Sequence, residues 1–168
     1  CTLKNFPNAI EHTIQWAREQ FDELFLKPAE NVNAYLSQPD YIETTLKSGS
    51  GAKEQLDQIK QYLVDERPKT FEQCIHWARM RFEENYSNVI RQLLHSLPAD
   101  AVTSSGQPFW SGPKRAPKPL TFNVDDPMHL EYVMSGALLH AENYGLKGEA
   151  DAALFRKVLG SMTVPEFV

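Results

Sequence analysis

From Ile10 to Leu159 apolar side chains return at steps of three and four residues, with one long interruption between Pro98 and Asp125. That spacing gathers them on one side of a 3.6-residue helix and does not suit the strict alternation of a half-buried strand. The sequence therefore predicts an all-α fold of about eight helices with a single long irregular segment.

The helix boundaries follow from local chemistry. Asn8, three residues ahead of Glu11, has the spacing of an N-cap with a reaching carboxylate. Behind it Ile10, Ile14, Ala17, Phe21, Leu24 and Phe25 form one apolar stripe. Pro28 is expected to end that helix and to open the next, which turns Val32, Tyr35 and Leu36 inward. Pro39 opens a third that closes near Gly49, and Leu56, Ile59 and Leu63 mark a fourth stopped by Pro68. Thr70 with Gln73 begins the fifth, whose stripe is Phe71, Cys74, Ile75, Ala78 and Phe82; a sixth covers Asn88 to Leu97. Asp126 and Pro127 open the seventh, with Leu130, Val133, Met134, Ala137, Leu138 and Ala141 buried and Gly145 at its C-cap. The last runs from about Glu149 to Leu159 on Ala153, Leu154, Val158 and Leu159.

The segment 98–125 holds Pro98, Pro108, Pro113, Pro117 and Pro119 with two glycines, so it cannot be helical. Phe109, Trp110, Leu120 and Phe122 make it too apolar for a free linker. It reads as an ordered loop clamped over the helices, within a single domain of residues 1–168. It divides a larger helical part, 1–97, from a smaller one, 126–168. One internal echo is present: Glu11, Ile14, Trp16, Ala17, Arg18, Phe21 and Glu23 return 61 positions later as Glu72, Ile75, Trp77, Ala78, Arg79, Phe82 and Glu84. Two units do not make a repeat architecture, and the echo reads as two helices with similar packing duties.

At 168 residues the chain supports one substantial core. A net charge of −5 argues against a nucleic-acid interface. No apolar run approaches the length of about 20 residues that a membrane span needs. Two cysteines are too few for a disulfide scaffold, so both read as free thiols in the cytoplasm or nucleus. Phosphate-binding loops, nucleophile elbows and zinc-type cysteine pairs are missing from the sequence, and no cofactor site is expected. His12, His95, His129 and His140 are scattered along the chain, each expected at a surface or a cap. Trp16 and Trp77 read as helix-packing residues. Cys74 lies in an apolar stripe and reads as core.

Cys1 differs, because it precedes the first helix in an irregular segment that a large partner can reach. Lys4 and the positive N-terminal end of the following helix both favour a thiolate over the usual thiol. Two readings stand on these grounds alone: a nucleophile, or an incidental free thiol. In the loop, Phe109, Trp110, Lys114, Arg115 and Lys118 either contact a partner or, as the aromatic pair beside prolines suggests, anchor the segment with the cations solvated.

The run from Cys1-Thr2-Leu3-Lys4-Asn5-Phe6-Pro7 to Thr13 resembles the active-cysteine segment of eukaryotic ubiquitin-activating enzymes. Further matches follow in order along the chain: Leu93-Leu94-His95, the loop from Ser104 through Phe109-Trp110-Ser111-Gly112-Pro113-Lys114-Arg115 to Phe122, His129 to Met134, and Val164-Pro165-Glu166-Phe167. In that family the segment is the second catalytic cysteine half-domain, a helical insertion that continues past the position of Val168. The resemblance implies that Cys1 attacks ubiquitin adenylate, holds ubiquitin as a thioester and yields it to a ubiquitin-conjugating enzyme. Adenylation domains of the same polypeptide would supply the adenylate with ATP and magnesium, so the segment by itself is expected to be inactive. Thr2 and Lys4 match positions beside the cysteine, where they either shape and charge its pocket or simply cap and solvate the loop. His12 lies too far into its helix to serve as a base, and a thiolate displacing AMP needs little help.

A non-catalytic helical interaction module is the rival reading, with the extended loop as its binding surface. An N-terminal-nucleophile hydrolase is set aside because those enzymes are built around β-sheets. Were Cys1 the amino terminus, an acyl group on its sulfur would shift to the adjacent α-amine and become an inert amide. A chain that starts at Cys1 is then expected not to turn over as a thioester carrier. Recovery of a thiol-labile ubiquitin conjugate from it after hours near neutral pH would contradict this.

Overall fold

The structure, a computed structural model, describes Pro7 and residues 9–168. Cys1, Thr2, Lys4 and Asn8 lie outside the described residues, the last being the expected cap of the first helix. Eight α-helices occur among the described residues: α1 (Ile10–Phe21), α2 (Lys27–Ser37), α3 (Tyr41–Lys47), α4 (Ala52–Lys60), α5 (Phe71–Glu83), α6 (Val89–Ser96), α7 (Pro127–Asn143) and α8 (Ala152–Ser161). The fold is all-α, as the periodicity requires.

Pro28 does not end the first helix. A π turn at Asp22–Leu26, closed by Lys27 N–H donating to Asp22 O five residues back, carries the rod straight into α2. In an uninterrupted α-helix the Pro28 ring would strike the carbonyl of Leu24. The wider π turn lies over that carbonyl and accommodates the ring. A second π turn, Gln61–Asp65, extends α4, and a third, Glu84–Asn88, fuses α5 to α6. The described chain is thus six continuous rods.

The caps are where the side chains predict them. Thr70 Oγ1 accepts from Gln73 N–H at 3.4 Å, while Gln73 Oε1 accepts from Lys69 N–H at 2.6 Å. Asp126 accepts from the N–H groups of Met128 and His129 with Pro127 in the first turn. Gly145, at φ 67°, closes α7: its N–H donates to Glu142 O and the next N–H, of Leu146, donates to Ala141 O. That pair of bonds is a Schellman cap, which needs the left-handed conformation glycine adopts freely. Asp151 caps α8 through Ala153 N–H, so this helix begins at Ala152 and turns Phe155 as well as Val158 inward.

The main core lies where α5 meets α7 and α8. Cys74, Ile75, Ala78 and Phe82 pack there against Val133, Ala137, Ala141 and Phe155, each at most 2% exposed. Phe82 is the hub of its rings, 5.1 Å from both Tyr86 and Phe122 and 5.7 Å from Tyr132. Close approach continues at Gly148, where a Cβ would lie 2.7 Å from Leu138 Cδ2 and 2.9 Å from the Phe71 ring. A smaller core gathers Val32, Tyr41 and Ile59 from α2, α3 and α4. The Tyr62–Tyr144 ring stack and the bond from Tyr144 Oη–H to Tyr62 O (2.7 Å) join the two.

The α1 stripe, expected inside, is not buried, since Ile10 is 71% exposed, Ile14 62% and Phe21 47%. The echoing positions Ile75, Ala78 and Phe82 form the core, so the two helices do not share a packing duty. On α2, Val32 turns inward as expected but Leu36 stays exposed, because the small core ends before the last turn of that helix. His140, expected at a surface or cap, is 3% exposed and stacks on Trp77 with ring centroids 3.9 Å apart. The other histidine in that helix, His129, does serve the turn before it by accepting from Asn123 N–H at 3.1 Å.

Phe82→Ala removes the hub of the ring cluster and is expected to lower unfolding free energy by about 3–5 kcal/mol in urea denaturation. Burial, aided by Arg81, pushes the His140 pKa down to about 4 from 6.5. Between those values the unfolded chain binds a proton that the folded one refuses, so stability falls as pH drops through the window. The loss is on the order of 3 kcal/mol, and His140→Gln should flatten it in denaturation curves recorded across that range.

Candidate functional site

The residues singled out by sequence, Cys1, Thr2 and Lys4, lie outside the described chain, and their nearest described neighbour is Pro7. Pro7 lines a groove of about 650 Å³ between α1 and the rod formed by α5, its π turn and α6. Trp16 and Thr13 form one wall; Tyr86, Val89 and Leu93 form the other, with Pro117 of the loop at the rim. The π turn sets the second wall, because it advances the helix by one extra residue. Tyr86 is thereby turned toward Trp16, with ring centroids 5.9 Å apart. Ser87 becomes buried.

Among the described residues that line this groove, Tyr86 is the only one with an ionisable side chain. Burial and the neighbouring Tyr132 phenol push its pKa up to about 12, so it stays protonated. Tyr132 is likewise raised by burial and accepts from Asn85 Nδ2 at 3.3 Å. This wall therefore offers apolar surface and neutral hydrogen-bonding groups rather than an acid or base. His12 stands on α1 and is half-buried.

The irregular segment is held at several points. Leu120 N–H donates to Tyr86 O at 2.7 Å, and Phe122 packs edge-on against Phe82 with the Arg79 guanidinium 4.4 Å above its ring. Trp110 Nε1–H reaches Leu97 O and Pro98 O, closing the carbonyl end of α6. An isolated bridge pairs Val102 with Pro108 around Gly106. Lys114 lies 4.7 Å over the Phe109 ring, so it is not simply solvated, whereas Arg115 and Lys118 are exposed.

The second thiol is inert by placement. Cys74 is fully buried, its Sγ sits 3.7 Å from Thr70 O, and burial pushes its pKa up to about 11. Among the described residues no three His, Cys, Asp or Glu side chains are grouped to hold a metal ion. No helix among them is long and apolar enough to cross a membrane. Sequence reasoning missed the Trp16–Tyr86 wall because it depends on a π turn, which leaves no mark in apolar spacing.

Known proteins are similar to this sequence. Residues 7–168 match the family described as the ubiquitin-activating enzyme SCCH domain. The ubiquitin-like modifier-activating enzyme 1 of Homo sapiens is 55% identical over 168 residues, and the ubiquitin-activating enzyme E1 1 of Schizosaccharomyces pombe 53% over 167. That of Arabidopsis thaliana is 39% identical over 175 residues. Each alignment covers 99% of this chain but 16% of the relative, so the chain spans less than a fifth of those proteins. With the all-α fold and this degree of identity, the chain belongs to the ubiquitin-activating enzymes and corresponds to their second catalytic cysteine half-domain.

Proposed function

We propose that Cys1 is the acceptor thiol of a ubiquitin-activating enzyme. The observation that carries this reading is the family match, which begins at Pro7 inside the cysteine segment and runs to Val168, together with relatives that align over 99% of the chain. Pro7 in turn lines the apolar groove. Even a fully extended chain keeps the Cys1 Cα within roughly 22 Å of the Pro7 Cα.

The thiolate of Cys1 attacks the C-terminal carbonyl of ubiquitin adenylate. A carbon–sulfur bond forms, the acyl–phosphate bond breaks, and AMP leaves with the electron pair. A thiolate of a ubiquitin-conjugating enzyme then attacks the thioester and releases Cys1 as thiolate. Lys4 and the positive end of α1 hold the thiol charged, and Thr2 shapes its surroundings. The wall of neutral groups beside Pro7 supports a nucleophile that works without a dedicated base. Adenylation domains of the same polypeptide, using ATP and magnesium, make the adenylate. The protein works in the cytoplasm and nucleus, where free thiols persist.

In the full-length enzyme Cys1→Ala is expected to abolish the ATP-dependent, thiol-sensitive ubiquitin conjugate on a non-reducing gel while ubiquitin adenylate still forms. A conjugate that survives the substitution would move the acceptor elsewhere.

A further inference from the structure

The internal echo of α1 in α5 has a spatial counterpart that ubiquitin transfer does not use. Trp16 and Trp77, Ala17 and Ala78, and Gln20 and Arg81 are pairs at the same offset, and all six line one cleft between α1 and α5. Its floor is low because α5 and α7 meet there through small residues: a Cβ on Gly136 would lie 3.4 Å from Ala78 Cβ. Aromatic rings stand around that floor, leaving a cavity of about 260 Å³. This is just under the ~300 Å³ at which small-molecule sites begin, and it suits a body of one or two fused rings.

Of these three pairs, two are identical and one is not. Where α1 has the neutral Gln20, α5 has Arg81, whose guanidinium lies 5.8 Å over the Trp77 ring. Arg81 Nε is buried and has no hydrogen-bond partner. Glu23 and Glu66 share a neighbouring pocket with Arg81 but give that nitrogen no hydrogen bond. Leaving a buried guanidinium donor unpaired is costly, and a carboxylate satisfies it with two parallel bonds. A neutral apolar guest leaves that donor unsatisfied, and a cation is repelled by it. We propose that this cleft binds small aromatic carboxylates, the carboxylate on Arg81 and the ring between the two tryptophans. Such a ligand would tie α1 to α5 on the flank where α1 itself buries little.

Calorimetric titration of the intact protein with naphthoate and with its uncharged counterpart naphthamide tests this. The acid should bind roughly tenfold tighter or more, in keeping with a charge-assisted bidentate pair. R81M should bind acid and amide alike. A17F, which fills the cleft from an exposed rim position, should lose both. Equal affinity for acid and amide in the unaltered protein overturns the proposal, as do absence of saturable binding at millimolar concentration, a preference that survives R81M, and binding that survives A17F. The unaltered protein and A17F decide the matter even where R81M does not fold.

Discussion

Everything in this domain is arranged around the close contact of α5 with α7. Two helices draw near only where their facing side chains are small. Ala78 meets Gly136, and Ala137 and Ala141 continue the same strip along α7. Large side chains are thereby displaced to the flanks. Phe82 and Phe155 fill one pair of corners, while Trp77 and His140 lie flat against each other beside the strip. Cys74 belongs to the same logic, occupying a place where a thiol serves as a small hydrophobe. The loop then fastens onto rings already fixed: Phe122 finds Phe82, and Leu120 finds the backbone of Tyr86.

The parts of this arrangement that depend on single side chains are legible in the sequence. Thr70, Asp126 and Gly145 each mark a helix end because each offers the specific group a terminus lacks, and all three do so in the structure. The core stripe of α5 is legible for the same reason, since Cys74, Ile75, Ala78 and Phe82 fall on one face of an unbroken helix. What cannot be read is a change of phase. A π turn consumes one extra residue and rotates everything beyond it by roughly 100°. In the first rod Pro28 and Val32 are buried. Ile10, Ile14 and Phe21, which continue their face on an ideal helix, are left outside. The same slip buries Ser87 and exposes Val89 in the third π turn's rod. His140, expected at a surface or cap, is buried for a different reason: a polar residue inside an apolar run looks like an interruption until a flat partner such as Trp77 is known to be waiting.

The proposed acceptor site divides differently. Elementary chemistry picks out Cys1 from Cys74 by its surroundings in sequence, and the burial and raised pKa of Cys74 bear out one half of that contrast. It does not supply the acyl group that Cys1 would carry. The substrate enters through kinship alone, because neither a thiol beside a lysine nor an apolar groove is particular to ubiquitin. Kinship in turn says nothing of the cleft at Arg81, which appears only when the two echoing helices are placed side by side.

The continuity of the first rod has a mechanical consequence. With the π turn absorbing Pro28 instead of a break, Ile10 and Ser37 are opposite ends of one stiff beam. At the helical rise that beam is roughly 40 Å long. One end adjoins the cysteine segment and the other is bolted into the small core of Val32, Tyr41 and Ile59. A load applied at the cysteine end is shared along the beam by the Trp16 contact with Tyr86 and the Phe25 contacts with Trp77 and Asn143 before it reaches that distant joint.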